Sequence, residues 1–351
     1  MLRGVAGGDV RAGGPQVRPG LSRGYLWGNA GYNCTIFAYG QTGAGKTYTM
    51  MGVSAEHEHY YPNRGLVPRT LEFLFECIGR EQDSGVNFAI RCSFLEIYNE
   101  QIIDLLNKNN SNLQLREDTR KGVYVEGLTE EYISRSEEAM EILYKGSKSR
   151  HVGSTFYNEA SSRSHSVFSL HIESKFTKNG VVTTRSRQFH FIDLAGSERT
   201  KQSTGERLKE GCNINKSLMN LAAVINSLSE VSEGKSQHVN YRNSKLTFLL
   251  KDSLGGNSRT NLIANISPAA TFFQETLSTL GFARRAKLIK RQKALINEDA
   301  SGNLESMKSE IKRLKQEVIN LKGQTEKSEG SARSTEAPNQ MTTILHQYVS
   351  E

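Results

Sequence analysis

The sequence predicts an α/β domain with a central mixed sheet flanked by helices, and three observations predict it. A buried-strand run, "TIFAY" from Thr35, feeds a glycine loop that passes directly into a helix-opening stretch, "KTYTMM". Strand-like and helix-like runs then alternate to about residue 290. Two strand candidates are joined by Asn179-Gly180, a dipeptide of tight hairpins, so the strands are not all parallel. With 351 residues, 36% of them hydrophobic, the chain can bury one large core and still carry appendages.

Residues 1–30 are dense in Gly, Arg and Pro and show neither hydrophobic period, the composition of a disordered arm. The run from Val86 to Tyr98 places Phe88, Ile90, Cys92 and Phe94 on one face at period two and reads as a strand. Ser136 to Arg150 starts with a cap-like Ser and an acidic first turn and reads as a helix. "VFSLHIESKF" and "RQFHFIDLAG" flank the Asn179-Gly180 turn as an antiparallel pair. Between Asn213 and Leu228, Ile214, Leu218, Leu221, Ile225 and Leu228 step by four and three, so one helical face is buried. "KLTFLLKDSL" and "TFFQETLSTLGFARRAKLI" predict two more helices around a strand at "TNLIANIS".

Beyond the domain, Leu304, Met307, Ile311, Leu314, Val318 and Leu321 keep an a/d heptad among charged neighbours. The expected organisation is thus an arm at 1–30, the α/β domain at 31–290, a linker at 291–303, the start of a coiled coil at 304–322 and a disordered tail at 323–351. The seam spans under three heptads, near the lower limit for helix pairing, so it reads either as a homodimer contact or as a lone amphipathic helix.

A net charge of +8 predicts attraction to something acidic: nucleic acid, an anionic membrane surface or an acidic protein polymer. The cysteines Cys34, Cys77, Cys92 and Cys212 form no C-x-x-C pair, which argues against a disulfide framework or zinc site and for a reducing compartment. No apolar run reaches the ~18 to 20 residues of a membrane span, so the expectation is a cytosolic or nuclear protein. The eight histidines do not gather at metal-ligand spacing, and His57 and His59 read as part of a solvated insertion.

Three segments carry chemistry. "GQTGAGKT" (Gly40, Gln41, Thr42, Gly43, Ala44, Gly45, Lys46, Thr47) fits G-x-x-x-x-G-K-[ST], whose backbone N–H groups close around phosphate oxygens at a helix N-terminus. Lys46 would reach the β- and γ-phosphates, and Thr47 would hold Mg²⁺. "NEASSRSH" (Asn158 to His165) gathers hydroxyls and an Arg. "DLAGSE" (Asp193 to Glu198) sets an Asp at a strand end, where phosphoryl-transfer sites keep a metal-associated acid, and Gly196 offers an N–H to the γ-phosphate.

In this order, the three segments resemble the P-loop, switch I and switch II of the kinesin motor domain. The resemblance runs from Gly31 to about Asp299 and includes "FLEIYNE" (Phe94 to Glu100), "LKEGCNINKSL" (Leu208 to Leu218), "YRNSKLT" (Tyr241 to Thr247), "DSLGGNS" (Asp252 to Ser258) and "ETLSTLGFARRAK" (Glu275 to Lys287). It implies a microtubule-stimulated ATPase that uses ATP and Mg²⁺, located in the cytoplasm on the cytoskeleton, on microtubules or the spindle. Ser161 would position the attacking water, Ser162 and Thr47 would hold Mg²⁺, Asp193 would reach it through water, and Arg163 and Glu198 would latch the switches together.

The same resemblance implies a tubulin face on the segment after switch II and on "HVNYRNSKLT", with Lys201, Arg207, Lys209, Arg242 and Lys245 as its cations. Asn240 and Asn243 depart from the Pro and Asp usual there. "RRAKLIKRQK" carries six cations and no acid, but it lacks the interleaved aromatics that stack bases, which favours a linker over a nucleic-acid patch. "KALINED" and the heptads resemble kinesins with N-terminal motors, the twelfth family above all, which implies plus-end-directed movement.

The family's domain begins with two strands and a helix ahead of "GYN", the first strand ending in an Arg-x-Arg-Pro segment against adenine. "VRPG" at Val17 to Gly20 echoes that segment without a strand before it, so an N-terminally truncated domain is expected, with Tyr48 as the remaining base contact. Lost ladder bonds are worth roughly 1 kcal/mol each against a stability of about 5 to 15 kcal/mol. The competing expectation is a non-motor microtubule-binding or scaffold fragment without ATP turnover.

Overall fold

The computed structural model describes residues 33–52, 64–107, 109–119, 122–152, 160–178, 181–198, 206–290, 298–301 and a few positions between 308 and 316. The arm, the insertion holding His57 and His59, the Asn179-Gly180 turn and nearly all of the heptad segment lie outside the described residues. The chain divides into one unit of residues 1–176 and 184–299 and a second of 177–183 and 300–351. The first unit holds the site.

In chain order the first unit runs β1 (Asn33–Tyr39), α1 (Lys46–Met51), α2 (Leu66–Gln82), β2 (Asn87–Tyr98), β3 (Gln101–Asp104), β4 (Gln114–Asp118), β5 (Gly122–Glu126), β6 (Glu131–Ile133), α3 (Ser136–Val152) and α4 (Ala160–Arg163). The strands β7 (His165–Lys178) and β8 (Val181–Asp193), whose residues within 177–183 are counted in the second unit, follow, then α5 (Glu206–Ser232), a 3₁₀ turn at Tyr241–Asn243, α6 (Lys245–Leu249), α7 (Lys251–Gly255), β9 (Ser258–Ala264) and α8 (Phe273–Leu288). The main sheet has the order β3-β2-β7-β8-β1-β9, with β6 beside β2, while β4 and β5 form a separate hairpin.

β1 pairs in parallel with both β8 and β9. Buried between two parallel strands, it is apolar without alternation, as "TIFAY" predicts. β2 runs antiparallel to β7 from Asn87↔Lys175 to Ile97↔His165. Its period-two face at Ile90, Cys92 and Phe94 is buried, and from Cys92 to Ile97 both faces are covered.

Two cores follow from the two faces. On one, α2 and α3 cover Phe94, Phe168 and Phe191, with Phe94 and Phe168 edge to face at 5.6 Å. Gly146 lets α3 come down onto the sheet, since a Cβ there would lie 2.2 Å from the Phe94 ring. On the other, Leu218, Leu221, Ile225 and Leu228 of α5 pack with Phe37, Ile192 and Phe282. That is the stripe the sequence predicts, on a helix longer at both ends than its apolar pattern.

Two regions differ from expectation. The single helix expected at "KLTFLLKDSL" is two short ones, because buried Leu250 leaves helical geometry at ψ 5°. The break re-aims α7 so that the Asp252 carboxylate accepts the Val123 N–H of β5 at 3.1 Å. The stretch 66–82, unassigned from sequence, is a helix that buries Val67, Leu71, Leu74 and Ile78 at helical spacing. Among the described residues no strand pairs with the outer edge of β9.

Candidate active site

The glycine loop is shaped by backbone angles that L side chains rarely adopt: Gly40, Gly43 and Gly45 have φ of 154°, 78° and 88°. At Gly40 space is also decisive, since a Cβ would fall 2.0 Å from the carbonyl oxygen of Asn265. Asn265 follows β9 and clasps the loop from behind. Its N–H donates to the Tyr39 carbonyl at 2.8 Å, and its Nδ2 to the Thr49 hydroxyl at 2.9 Å and the Gly45 carbonyl at 3.3 Å. Sequence reasoning missed it, because "NLIANIS" reads simply as a strand.

Lys46 opens α1, and its Nζ donates to the Gln41 carbonyl at 2.9 Å. Burial pulls its pKa below the ordinary lysine value, opposed by the nearby Asp193 and Glu198. A desolvated ammonium whose hydrogen-bond partner among the described residues is a carbonyl is poised to meet an anion. Gln41, Thr42 and Ala44 complete the loop, and Tyr48 is half-buried on α1.

Parallel pairing of Ala38 with Asp193 delivers the β8 carboxylate beside the loop. Thr47 Oγ1 donates to Asp193 Oδ2 at 2.7 Å, so two of the expected metal-site residues meet. Asp193 Oδ1 is buried with no hydrogen-bond partner among the described residues, which suits an acceptor awaiting a metal-bound water. Thr47 and Asp193 thus bring together a hydroxyl and a carboxylate, oxygen donors of the kind Mg²⁺ takes.

A residue no motif marks sits behind this carboxylate. Arg150, 5% exposed near the end of α3, donates from Nη1 to Asp193 Oδ2 and Ser166 Oγ, both at 3.0 Å. Its Nη2 donates to the Ser164 carbonyl at 3.0 Å, and its Nε lies 3.5 Å from Glu96. In sequence it is only the basic end of a helix.

The chain after β8 distributes four successive N–H groups over four elements. Leu194 donates to Ala38 of β1 at 3.4 Å, Ala195 to His165 Nδ1 at 3.0 Å, Gly196 to the Ser162 carbonyl at 2.9 Å and Ser197 to the Gly40 carbonyl at 3.1 Å. The two predicted switch segments and the glycine loop therefore meet at Gly196. Glu198 accepts the Thr42 N–H at 2.8 Å and also the Thr42 hydroxyl. Arg163, the expected partner of Glu198, ends α4 and is half-buried beside the switch. The side-chain surroundings of Ser161 lie outside the described residues.

The predicted tubulin-facing cations divide into three groups. Lys201 lies outside the described residues, and Arg207 and Lys209 lie on α5 with their side chains outside them. Arg242 and Lys245 are tied to β4: Arg242 pairs with Glu117 at 2.8 Å while stacking over Phe248, and Lys245 Nζ donates to Gln114 at 3.2 Å. Two cations, Lys251 first and then Arg242, hold the Glu117 carboxyl below its usual range. The Arg242 side chain remains 74% exposed, so most of its surface still faces solvent. Among the described residues no helix is long and apolar enough to cross a membrane, and no His/Cys/Asp/Glu cluster could hold a metal on its own.

A glycine loop on a parallel strand, an acid at the end of the neighbouring strand and a hydroxyl-and-arginine segment on that acid's backbone define a P-loop NTPase fold with two switches. Comparison narrows the class. The kinesin motor domain family model matches residues 29–289, and the chain belongs to that family. It is 55% identical over 290 residues to kinesin-like protein KIN-12G of Oryza sativa subsp. japonica, covering 81% of this chain and 23% of that protein. To human kinesin-like protein KIF15 it is 51% identical over 288 residues, covering 81% and 21%. The resemblance to the twelfth kinesin family holds, and the chain spans about a quarter of the length of these relatives.

Among solved structures, one described as a fast kinesin superposes with a TM-score of 0.69 at 46% identity over 77% of this chain and 74% of that one. A KIF14 dimer with AMP-PNP on a microtubule gives 0.67 at 43% identity, covering 75% and 74%.

Proposed function

We propose that the chain is a microtubule-stimulated ATP hydrolase that turns nucleotide state into movement along microtubules, plus-end directed. The observation that carries this reading is the sharing of the Leu194 to Ser197 N–H groups among β1, His165, Ser162 and the glycine loop. A γ-phosphate that draws Gly196 toward it must break the bond to Ser162 or bring Ser162 along, so the terminal phosphate is read as backbone displacement. Kinship with a KIF14 structure solved with AMP-PNP on a microtubule supports nucleotide and filament as the two ligands.

Each side chain has a role in this scheme. Lys46 and the loop N–H groups of Gly40 to Thr47 bind the triphosphate, and Tyr48 lies against the base. Ser161 and the Ser162 carbonyl order the attacking water, and Arg163 takes Glu198 over from Thr42 when the switches close. Thr47 and Ser162 hold Mg²⁺ directly and Asp193 through water. Bound there, Mg²⁺ offsets negative charge on the phosphate oxygens. Lys201, Arg207, Lys209, Arg242 and Lys245 meet acidic tubulin, and 304–322 pairs two chains.

The test is steady-state ATPase of the full chain with and without polymerised tubulin. A rise of at least tenfold is expected, and Lys46→Ala should abolish it. A folded sample that binds the polymer with flat turnover would instead be a filament-binding protein without motor activity.

A further inference from the structure

We propose that His165 is a positioning residue that ties the switch II backbone to α5 through its ring, a link separate from the chain that joins them. The proposal rests on the motor reading above and names the route by which nucleotide state reaches the helix after switch II.

His165 stands at the head of β7, just past Arg163 of α4, and is 2% exposed. Its two nitrogens face different elements: the Ala195 N–H at 3.0 Å on Nδ1 and the Ser217 hydroxyl at 2.8 Å on Nε2. Because a backbone N–H can only donate, Nδ1 must accept, so the ring proton is on Nε2 and points to Ser217. The tautomer is thus fixed by its neighbours. Burial, with Arg150 and Lys46 nearby, pushes its pKa down to about 3, and the ring stays neutral at working pH.

The ends of this link are equally well held. Ala195 is fully buried, and its neighbour Gly196 donates to Ser162. Ser217 is 3% exposed, one position before the Leu218-Leu221-Ile225 stripe that seats α5 on the sheet. Arg150 grips Ser164, the residue before the ring, by its carbonyl and hydroxyl. A shift of Ala195 is therefore delivered to the packed middle of α5, where a rigid helix transmits it, and not only to its N-terminal end.

Ser217→Ala removes the acceptor while keeping the volume. The full chain and this variant are compared for affinity to polymerised tubulin with ADP and with a non-hydrolysable ATP analogue. We expect the ratio of the two affinities to fall at least threefold in Ser217→Ala, with affinity for a fluorescent ADP in the absence of tubulin within twofold of the parent. Ser217→Thr, which keeps the hydroxyl, should restore most of the ratio. His165→Asn, whose short amide can still face Ala195 but not Ser217, should match Ser217→Ala. An unchanged ratio in both Ser217→Ala and His165→Asn overturns the link while leaving the motor reading standing. If the parent chain itself shows no nucleotide-dependent tubulin affinity, the motor reading falls and takes this proposal with it.

Discussion

The two strands that flank β1 end in opposite ways. Beyond β8, successive N–H groups are dealt out to four elements, and the Asp193 carboxylate is shared between Thr47 and Arg150. Beyond β9, the Asn265 amide and backbone return, among the described residues, to the glycine loop and its flanks. A strand end whose polar groups serve several elements can exchange partners when one element moves. A strand end whose groups return to one loop and the two elements it joins holds that loop in place. Both flank the same parallel strand in the same direction, so the distinction between switch and clasp lies in the partners and not in the fold.

The sharpest way to break this comparison is at Arg150. It is the buried cation beside two buried carboxylates, Asp193 and Glu96, and Arg150→Met leaves both without it. Breaking a buried pair from one side costs about 3 to 5 kcal/mol, far more than the pair contributes net. Urea unfolding of the variant should show a loss of that order, with Arg150→Lys in between. A loss under about 1 kcal/mol would mean that the β8 end does not depend on its shared partners.

The difference between the flanks also has a pH signature. His165 beside the β8 end and His190 on β8 are buried, with pKa values pushed down to about 3, while β9 carries no histidine. Burial is the main cause in both, helped by Arg150 and Lys46 at His165 and by His171 at His190. The unfolded chain protonates these rings near pH 6.5 and the folded chain does not, so stability rises with pH from about 3 to 6.5 and is lost on acidification across that window. Moving from pH 7.5 to 5.5 should cost on the order of 1 kcal/mol per histidine. Chemical denaturation at both pH values checks the slope, and His190→Gln should halve it.

How much of this was legible in the sequence depends on the reach of the signal. The glycine loop, "DLAGSE" and "NEASSRSH" are local patterns, and the structure brings the described parts of all three together. The α5 stripe was legible because four- and three-residue steps are read within one helix. Arg150, Asn265 and the partners of Glu198 were not, because each acts on residues distant in sequence and none leaves a local period. The break at Leu250 was hidden for a related reason: apolar content continues through it, and only the Asp252 contact to β5 requires the turn. The charge on Arg242 was correctly read as basic, but a cation's sequence does not reveal that Glu117 waits opposite it.

The gentlest test concerns the clasp. Asn265→Ala deletes the Nδ2 bonds to Thr49 Oγ1 and the Gly45 carbonyl, while the backbone bond to Tyr39 and the close approach to Gly40 remain. Neutral hydrogen bonds of this kind are worth about 1 kcal/mol each, and the 3.3 Å bond should be the weaker. Fluorescent ADP should therefore bind roughly five- to tenfold more weakly, by an amount independent of tubulin, since a clasp affects loop shape in every nucleotide state. If Asn265→Ala instead alters the ratio of tubulin affinities between ADP and an ATP analogue, the β9 end exchanges partners as the β8 end does, and the contrast between the two flanks of β1 disappears.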